Sequence, residues 1–275
     1  MYTVIVFPNC KINLGLQVLR KRNDGFHDIC SAFYPVPLRD ALEIIVRPDL
    51  DIPLLHNYGM TVNGASADNL CVKAWQLLKE HHPTMPAVEI HLLKNIPMGA
   101  GLGGGSADGA FMLQLLNNRF RLAITDAQLR NYALQLGSDC PFFILNKPCI
   151  GSGRGELLSP VELSLAGYKL VLVFPGIHIN TGWAFGALTL HQQHADLIST
   201  LQLPVDRWKG TLQNDFEVPV FAKHPELAGM LDQLYRSGAV YASMSGSGST
   251  LFGLFAPGVN PDENTLPANS QVLVL

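Results

Sequence analysis

Charged side chains are scarce in this chain, and several kinds of segment are missing altogether. Asp, Glu, Lys and Arg make up 15% of the 275 residues, and the formal net charge is −3. No basic cluster with interleaved aromatics occurs, which disfavours nucleic acid or a membrane surface as a partner. No apolar run reaches the ~18 residues that span a bilayer, and the first residues lack a charged signal-peptide region. The composition predicts a cytoplasmic protein without a membrane segment.

The cysteine and histidine patterns disfavour a disulfide-bonded protein and a histidine metal site. The five cysteines are odd in number and show no C-x-x-C spacing, so we expect reduced thiols rather than a disulfide framework. The pairs His81–His82 and His191–His194 have no acid at metal-ligand spacing, which predicts surface positions. Because 48% of the residues are apolar, the chain can bury a sizeable core as one large or two modest domains.

The hydrophobic pattern predicts a mixture of strands and helices in irregular order, which favours α+β over a regular βαβ series. A turn is predicted at 22–25, and a soft domain boundary near 155–165. The predicted strands cover 3–7, 12–20, 41–47, 88–93, 142–145, 169–174, 240–244, 251–255 and 271–275. The predicted helices cover 70–81, with Asp68 or Asn69 as cap, and 106–116, 126–136, 182–190 and 225–236.

A glycine-rich loop between a predicted strand and a predicted helix is the most informative segment. Glycine lets the backbone approach a ligand closely, and the free amides at a helix N-terminus attract anions. This arrangement predicts a nucleotide phosphate site, with a flexible linker as the alternative. The loop comprises Pro97, Met98, Gly99, Ala100, Gly101, Leu102, Gly103, Gly104, Gly105, Ser106 and Ala107.

Two familiar phosphate loops can be tested against these residues. A Walker A loop ends in Gly-Lys-Ser/Thr, and no lysine lies between Asn95 and Asn146. Gly99, Gly101 and Gly104 satisfy G-x-G-x-x-G, which leaves a dinucleotide-dependent oxidoreductase as an alternative. That motif expects an acid about 20 residues further on, but Asn117, Asn118 and Arg119 stand there, and the next acid after them is Asp126.

Three side chains are candidates for phosphoryl-transfer chemistry, which needs bound phosphates, charge compensation and a proton acceptor. Ser106 could ligate Mg²⁺ or a phosphate oxygen, or serve only as a helix N-cap. Asp139 is the candidate base, and the alternative is a turn-forming residue before Pro141. Lys11 could keep Asp139 ionised and stabilise an alkoxide, or could extend to an edge of the fold. Sequence spacing does not show that Lys11 and Asp139 meet.

Three segments taken together resemble the GHMP kinase superfamily. The segments are Pro8–Gly15, Pro97–Ala107 and Ser243–Thr250, and they occur in that order across nearly the whole chain. The resemblance implies a two-domain α+β kinase fold with the active site in the inter-domain cleft. It places an ATP-binding domain at 1–157 and a second kinase domain at 158–275, with ATP and Mg²⁺ as cosubstrate and cofactor.

A closer resemblance is to those superfamily members that phosphorylate a cytidine diphosphate alcohol. It covers Asp24–His27, Gly137–Pro141, Gly153–Glu156, Pro175–Thr181 and Asn214–Glu217. It implies transfer to the 2-hydroxyl of 4-diphosphocytidyl-2-C-methyl-D-erythritol in non-mevalonate isoprenoid synthesis, by a monomer or homodimer. The implied catalytic pair is Lys11 and Asp139. The implied substrate-binding residues are Asn13, Phe26, His27, Thr181, Phe185 and Gly246.

Other functions stay open at this point, and two residues depart from the family pattern. A homoserine or mevalonate kinase would differ at the cytidine-binding residues, and a nucleotide sensor would bind ATP without turnover. Phe26 stands where Tyr is common, and Asp108 where Asn is common. Because the Asp108 carboxylate would repel a phosphate, we expect it to face away from one.

Overall fold

The structure, a computed structural model, describes residues 4–61, 64–190 and 196–275. Single turns of 3-10 helix lie at Ser66–Asp68 and Val205–Arg207. The strands are β1 (Val4–Val6), β2 (Asn9–Lys21), β3 (His27–Arg39), β4 (Ala41–Arg47), β5 (Leu54–Gly59), β6 (Ala87–Lys94), β7 (Cys149–Ser152), β8 (Leu157–Pro160), β9 (Lys169–Val173), β10 (Tyr241–Met244), β11 (Leu251–Phe255) and β12 (Ser270–Val274). The helices are α1 (Leu70–His81), α2 (Gly104–Phe120), α3 (Asp126–Leu136), α4 (Cys140–Leu145), α5 (Thr181–Gly186), α6 (Leu197–Leu201), α7 (Glu217–Lys223) and α8 (Pro225–Arg236).

The chain forms two compact units that interleave along the sequence. Unit 1 contains residues 1–10, 38–98 and 103–147, and unit 2 contains 11–37, 99–102 and 148–275. The mixed α+β class is as predicted, while the domain limits 1–157 and 158–275 stay a prediction.

In its described residues, unit 1 consists of one sheet and four helices. The strand order is β1-β4-β6-β5, in which β5 is an edge strand that runs parallel to β6. Val88, Ile90 and Leu92 of β6 are fully buried, while Glu89 and His91 between them belong to the opposite face. The predicted helix at 70–81 is confirmed as α1. The Asn69 side chain caps it by accepting a hydrogen bond from the amide of Cys71.

One predicted strand in unit 1 is wrong, because residues 142–145 belong to the helix α4. Pro141 lies in the first turn of that helix, where its missing N–H costs nothing and its fixed φ favours the helix. Phe142, Phe143 and Ile144 are buried because α4 packs against α2 and α3. A short, fully apolar run does not by itself distinguish a buried strand from a buried helix.

Unit 2 contains two sheets, ordered β2-β3-β7-β8 and β10-β11-β9-β12. The predicted edge strand at the end of the chain is confirmed as β12. The strand β3 was not predicted, because Pro35 and Pro37 interrupt its pattern. Helix α8 matches its predicted bounds, and its Leu227 and Leu234 contribute to a core built on β9, β10 and β11.

Three smaller points concern the remaining predictions. The helix predicted at 182–190 is the shorter α5, and His191 and His194 lie outside the described residues. His81 is exposed, in edge contact with Tyr132. Among the residues described, no disulfide joins the cysteines, and none of the helices is long and apolar enough to cross a membrane.

Candidate active site

The glycine loop joins β6 to α2 through backbone conformations that favour glycine. Gly99, Gly101 and Gly103 have φ values of 64°, 81° and 70°. Gly103 is the N-cap of α2 in the left-handed conformation, and the helix begins at Gly104. The helix therefore starts two residues before its predicted beginning, and Ser106 lies inside the first turn. Of the two roles open to Ser106 from the sequence, the N-cap is excluded.

The glycines of the loop serve two different purposes. A Cβ on Gly101 would lie 2.0 Å from the carbonyl oxygen of Ser245, and one on Gly104 would lie 2.7 Å from Ile96 Cγ2. These two positions need glycine for packing. A Cβ on Gly105 would meet no atom within 4 Å, so the first turn of α2 has open space at that residue. Open space beside the amides of a helix N-terminus suits an anion.

A buried ion triad anchors the segment that precedes the loop. The Lys94 ammonium pairs with Asp40, and it lies 2.6 Å from a carboxylate oxygen of Asp108. The other Asp40 oxygen accepts hydrogen bonds from the amides of Asn95 at 2.6 Å and Ile96 at 2.9 Å. The triad thus fixes residues 94–96 and ties them to α2. Asp108 turns its carboxylate inward to Lys94, which agrees with the expectation that it faces away from a phosphate.

The triad also changes the acidity of its members. Burial, together with the Asp40 carboxylate, raises the pKa of the Asp108 carboxyl to about 7, while Lys94 acts in the opposite direction. The two carboxylates raise the pKa of the Lys94 ammonium and outweigh the effect of its burial. One ammonium therefore faces two carboxyl groups, and Asp108 is the one that takes up a proton near neutral pH.

We predict that Asp108→Asn makes the protein more stable above pH 7. Between pH 4 and 7 the folded Asp108 keeps a proton that the unfolded chain releases, so raising the pH removes stability from the wild type. The free energy of unfolding of the wild type, minus that of the variant, should therefore decrease as the pH rises from 4 to 7. The decrease should be at most about 1.4 kcal/mol per pH unit. Urea unfolding at pH 5, 6, 7 and 8 measures it. If the free energies of unfolding of the two proteins changed with pH in the same way, the prediction would be contradicted.

Asp139 and Ser106 approach the same cysteine in unit 1. The Ser106 hydroxyl forms a hydrogen bond with the thiol of Cys140, whose pKa burial raises to about 12. Asp139 is the residue before this cysteine and the N-cap residue of α4, but its side chain does not cap that helix. The half-buried residue lies in the turn that precedes this helix, so both roles that the sequence left open for Asp139 remain.

Lys11 is buried in unit 2 and held by polar neighbours. Its side chain is 4% exposed, which excludes the alternative of an extension to solvent. The ammonium donates a hydrogen bond of 2.5 Å to Asn13 Oδ1 and lies 5.2 Å from the ring centre of Phe33. Asn13 in turn donates from Nδ2 to the Ser31 hydroxyl at 2.8 Å. The Lys11 amide donates to the carbonyl of Leu102 in the glycine loop.

The third glycine segment, between β10 and β11, contacts the glycine loop inside unit 2. The Ser245 hydroxyl accepts a hydrogen bond from the Asn13 amide at 3.2 Å and donates one to the Gly101 carbonyl at 2.8 Å. A Cβ on Gly246 would lie 3.2 Å from the Gly101 backbone. Asn214 secures this turn by donating to the carbonyls of Met244 and Gly246.

The residues assigned to the cytidine end lie in two aromatic contacts. The rings of His27 and Phe185 stack with centres 4.6 Å apart and planes 16° apart. Phe26 is 49% exposed, and the Arg154 guanidinium lies 3.6 Å from its ring centre. Burial lowers the pKa of His27, and Lys21 lowers it further, so the ring is neutral at pH 7 and can both donate and accept.

The structure brings some of the predicted residues together and leaves others apart. Lys11 contacts Asn13, His27 contacts Phe185, and Gly246 lies against Gly101. Thr181 forms a hydrogen bond of 3.0 Å with the Ser247 hydroxyl and lies one helical turn before Phe185 in α5. Pro97 and the exposed Met98 begin the loop, and among the described residues they take no part in its backbone hydrogen bonds.

Three residues that contact or support the candidate site were not assigned from the sequence: Ser245, Arg154 and Lys94. Ser245 and Arg154 stand inside segments that the resemblance already covered, so their position in those segments was the available signal. Lys94 was not considered, although a lysine at the end of an apolar strand directly before a phosphate loop is unusual enough to mark it.

Comparison with known proteins gives the class. Residues 69–147 match the model of the GHMP kinases N terminal domain, and residues 194–265 match that of the GHMP kinases C terminal. The chain belongs to the GHMP kinase family.

Individual relatives narrow this class. A protein of Bacteroides thetaiotaomicron named 4-diphosphocytidyl-2-C-methyl-D-erythritol kinase is 49% identical over 265 residues, which cover 96% of this chain and 94% of the relative. A crystal structure of 4-(cytidine 5'-diphospho)-2C-methyl-D-erythritol kinase superimposes with a TM-score of 0.75 at 31% identity, covering 91% of this chain and 90% of that one. The Methanococcus jannaschii mevalonate kinase superimposes with a TM-score of 0.72 at 11% identity over 99% and 97% of the two chains, which shows a shared fold only.

Proposed function

We propose that this protein is an ATP-dependent kinase that phosphorylates the 2-hydroxyl of 4-diphosphocytidyl-2-C-methyl-D-erythritol, a step in making isoprenoid precursors. The observation that carries the choice of substrate is the similarity, over 96% of the chain, to a relative named for that activity. The glycine loop and the aromatic contacts at Phe26 and His27 support it, because one segment suits phosphates and the other a pyrimidine.

The phosphates of ATP are assigned to the loop at 97–107. The left-handed glycines turn the backbone before α2, and the open space at Gly105 leaves room beside the first helical amides. Mg²⁺ prefers oxygen ligands and keeps several waters. The Ser106 hydroxyl supplies such an oxygen in unit 1, so this residue fits the ion. A bound Mg²⁺ would offset negative charge on the transferred phosphoryl group.

Asp139 and Lys11 are assigned to the acceptor hydroxyl. Asp139 takes or orients the hydroxyl proton, because its half-buried carboxylate belongs to the segment Gly137–Pro141, which carries the resemblance and supplies the implied base. Lys11 supplies a positive charge that Asn13 holds in one rotamer, and a fixed cation favours a developing alkoxide. The Lys11 ammonium is thereby oriented before the substrate arrives, which is how positioning lowers a barrier.

The cytosine ring is assigned to the exposed face of Phe26. Stacked rings need about 3.5–4.0 Å between planes, so a base between two rings would separate them by about 7 Å. The 4.6 Å between His27 and Phe185 leaves no such space. Arg154 lies over one face of Phe26, so cytosine either displaces that guanidinium or uses the other face. The neutral His27 then offers one donor and one acceptor to the base edge.

Turnover with defined acceptors tests this function. The purified protein should transfer the γ-phosphate of ATP to 4-diphosphocytidyl-2-C-methyl-D-erythritol and not to homoserine or mevalonate. Phosphorus NMR of the product distinguishes attachment at the 2-hydroxyl from other positions. Preferred turnover of homoserine or mevalonate would replace the proposed substrate, and ATP binding without turnover of any acceptor would indicate a nucleotide sensor.

We predict that Phe26→Ala raises KM for the cytidine substrate by about 10- to 100-fold with a smaller change in KM for ATP. Removing one stacking face costs about 1–3 kcal/mol per base. Phe26→Tyr is the matched control, because it keeps the ring and should stay near the wild-type KM. Initial rates at varied substrate measure both constants. An unchanged KM in Phe26→Ala would place the cytosine elsewhere.

The proposal also covers the cellular compartment and the oligomeric state of the enzyme. Cysteine side chains without a disulfide suit the reducing cytoplasm, where ATP is available. We propose a monomer or homodimer without nucleic acid or membrane partners, and light scattering of the purified chain would establish its oligomeric state.

A further inference from the structure

A second cluster of ligating side chains lies in unit 1, away from the residues assigned to phosphoryl transfer. His56, Glu89 and His91 offer ligand atoms that all lie within 4.8 Å of one another. His56 belongs to the edge strand β5, and the other two belong to β6. His56 is the register partner of His91 across these parallel strands, and Glu89 precedes His91 by two residues. Strand periodicity therefore puts all three side chains on one face of the sheet.

The distances within the cluster suit a tetrahedral metal ion. His56 Nε2 lies 3.0 Å from Glu89 Oε1, and His91 Nε2 lies 3.5 Å from the same oxygen. Zinc bonds of 2.0–2.1 Å to nitrogen and oxygen separate neighbouring ligand atoms by about 3.3–3.4 Å in a tetrahedron. Both nitrogens thus lie near the required distance from Glu89 Oε1, and all the ligand atoms lie within 4.8 Å of one another. The rings of His56 and His91 stack with centres 4.9 Å apart, so they must turn for both nitrogens to face one ion.

One buried atom of the cluster, His91 Nε2, has Glu89 as a neighbour but makes no hydrogen bond among the described residues. Buried polar atoms nearly always have a partner, and an exception calls for an explanation such as an ion. The other ring nitrogen of His91 lies 3.0 Å from the Tyr58 hydroxyl. If Nδ1 donates its proton to Tyr58, then Nε2 presents a lone pair, as a metal ligand must.

Glu89 is oriented by a partner outside the cluster. Arg47 Nη1 lies 2.5 Å from Glu89 Oε2, which leaves Oε1 for the two histidines. The Arg47 charge is itself offset by Asp49, whose carboxylate lies 2.8 Å from Nη2. Glu43 of β4 is the register partner of His91 and adds a second carboxylate to this face. The surroundings therefore orient the ligands and do not leave a net positive charge beside them.

From this geometry we infer a binding site for a divalent transition-metal ion of the Zn²⁺ type, with His56, Glu89 and His91 as ligands. Two imidazoles and one carboxylate select Zn²⁺, Co²⁺ or Ni²⁺ over Mg²⁺ and Ca²⁺, which prefer oxygen. Three protein ligands leave one position for water. A metal ion there joins the edge strand β5 to β6, so its binding stabilises unit 1.

Titration of the untagged, chelator-treated full chain with Co²⁺ tests the site without ATP or acceptor, so the result is independent of the proposed kinase activity. We expect one equivalent of Co²⁺ to produce the visible absorption of a tetrahedral site, Zn²⁺ to displace it, and excess Mg²⁺ to leave it unchanged. Zn²⁺ should also raise Tm. A wild-type protein that binds no stoichiometric Co²⁺ would overturn the inference.

Matched variants assign the ligands. His56→Gln and His91→Gln should each weaken Co²⁺ binding by about 100-fold or more, and Tyr58→Phe by about 10-fold as a positioning residue. His81→Gln, which removes an exposed histidine of α1, should bind as the wild type does. Circular dichroism without metal shows whether each variant folds. Equal affinities of wild type, His56→Gln and His91→Gln would overturn the site.

Discussion

Replacing Asp139 by Asn lowers kcat by about 100-fold or more. Loss of a general base typically costs 10²–10⁴-fold, and the amide of Asn cannot accept the hydroxyl proton. The substitution keeps the shape of the side chain, and α4 does not depend on it for a cap, so the fold and KM for ATP should change little. Steady-state rates with saturating ATP and cytidine substrate measure the loss.

Asp126→Asn is the matched control for this prediction. Asp126 is an exposed carboxylate at the start of α3, and its replacement alters net charge by the same amount at a helix terminus. That variant should retain wild-type kcat. Turnover at the wild-type rate in Asp139→Asn would remove Asp139 from the proposed chemistry, whereas equal losses in both variants would indicate a general effect of charge.

Replacing Gly101 by Ala destabilises the protein by about 3 kcal/mol or more. The new Cβ would lie 2.0 Å from the Ser245 carbonyl oxygen, and the residue has φ of 81°. Both the steric overlap with backbone and the left-handed conformation oppose the side chain, and large losses arise from such strain. Urea unfolding measures the change, and the same variant should bind ATP poorly.

Gly105→Ala separates packing from ligand binding in the same loop. A Cβ there meets nothing within 4 Å, and Ala favours a helix over Gly by about 0.5–1 kcal/mol. The variant should be at least as stable as the wild type, yet KM for ATP should rise because the methyl group occupies the space assigned to a phosphate. An unchanged KM for ATP would contradict that assignment, and a stable Gly101→Ala would contradict the packing argument.

Local signals predicted most of the regular structure. Helices α1, α3 and α8 match their predicted bounds because each has clear periodicity and a terminus signal, such as the Asn69 cap, the Thr125 capping box or Pro225. The helix α4 was predicted as a strand, because six residues give periodicity too little length. The strand β3 was missed, because its prolines hide a pairing that depends on β7.

The candidate site was also predicted only in part: its residues were found from the sequence, but their contacts were not. The residue pattern supplied the glycine loop, Lys11 and Asp139 as candidates, and the resemblance implied their roles, but neither could supply contacts. Ser245 meets the Gly101 carbonyl across 144 positions of sequence, and Lys94 meets Asp40 across 54. Nothing in the spacing of such residues indicates that they touch, since long-range contacts depend on the whole fold.

The single hydroxyl of Ser245 has a consequence for protein engineering. It bridges the backbone of Asn13 and that of Gly101, so three remote stretches of chain share one small polar group. In a chimaera that carries only the nucleotide loop of another kinase, the new loop would not be matched to these two hydrogen bonds of Ser245. Nucleotide preference is therefore transplantable only if the serine turn at 243–250 and the strand carrying Asn13 are exchanged as a set.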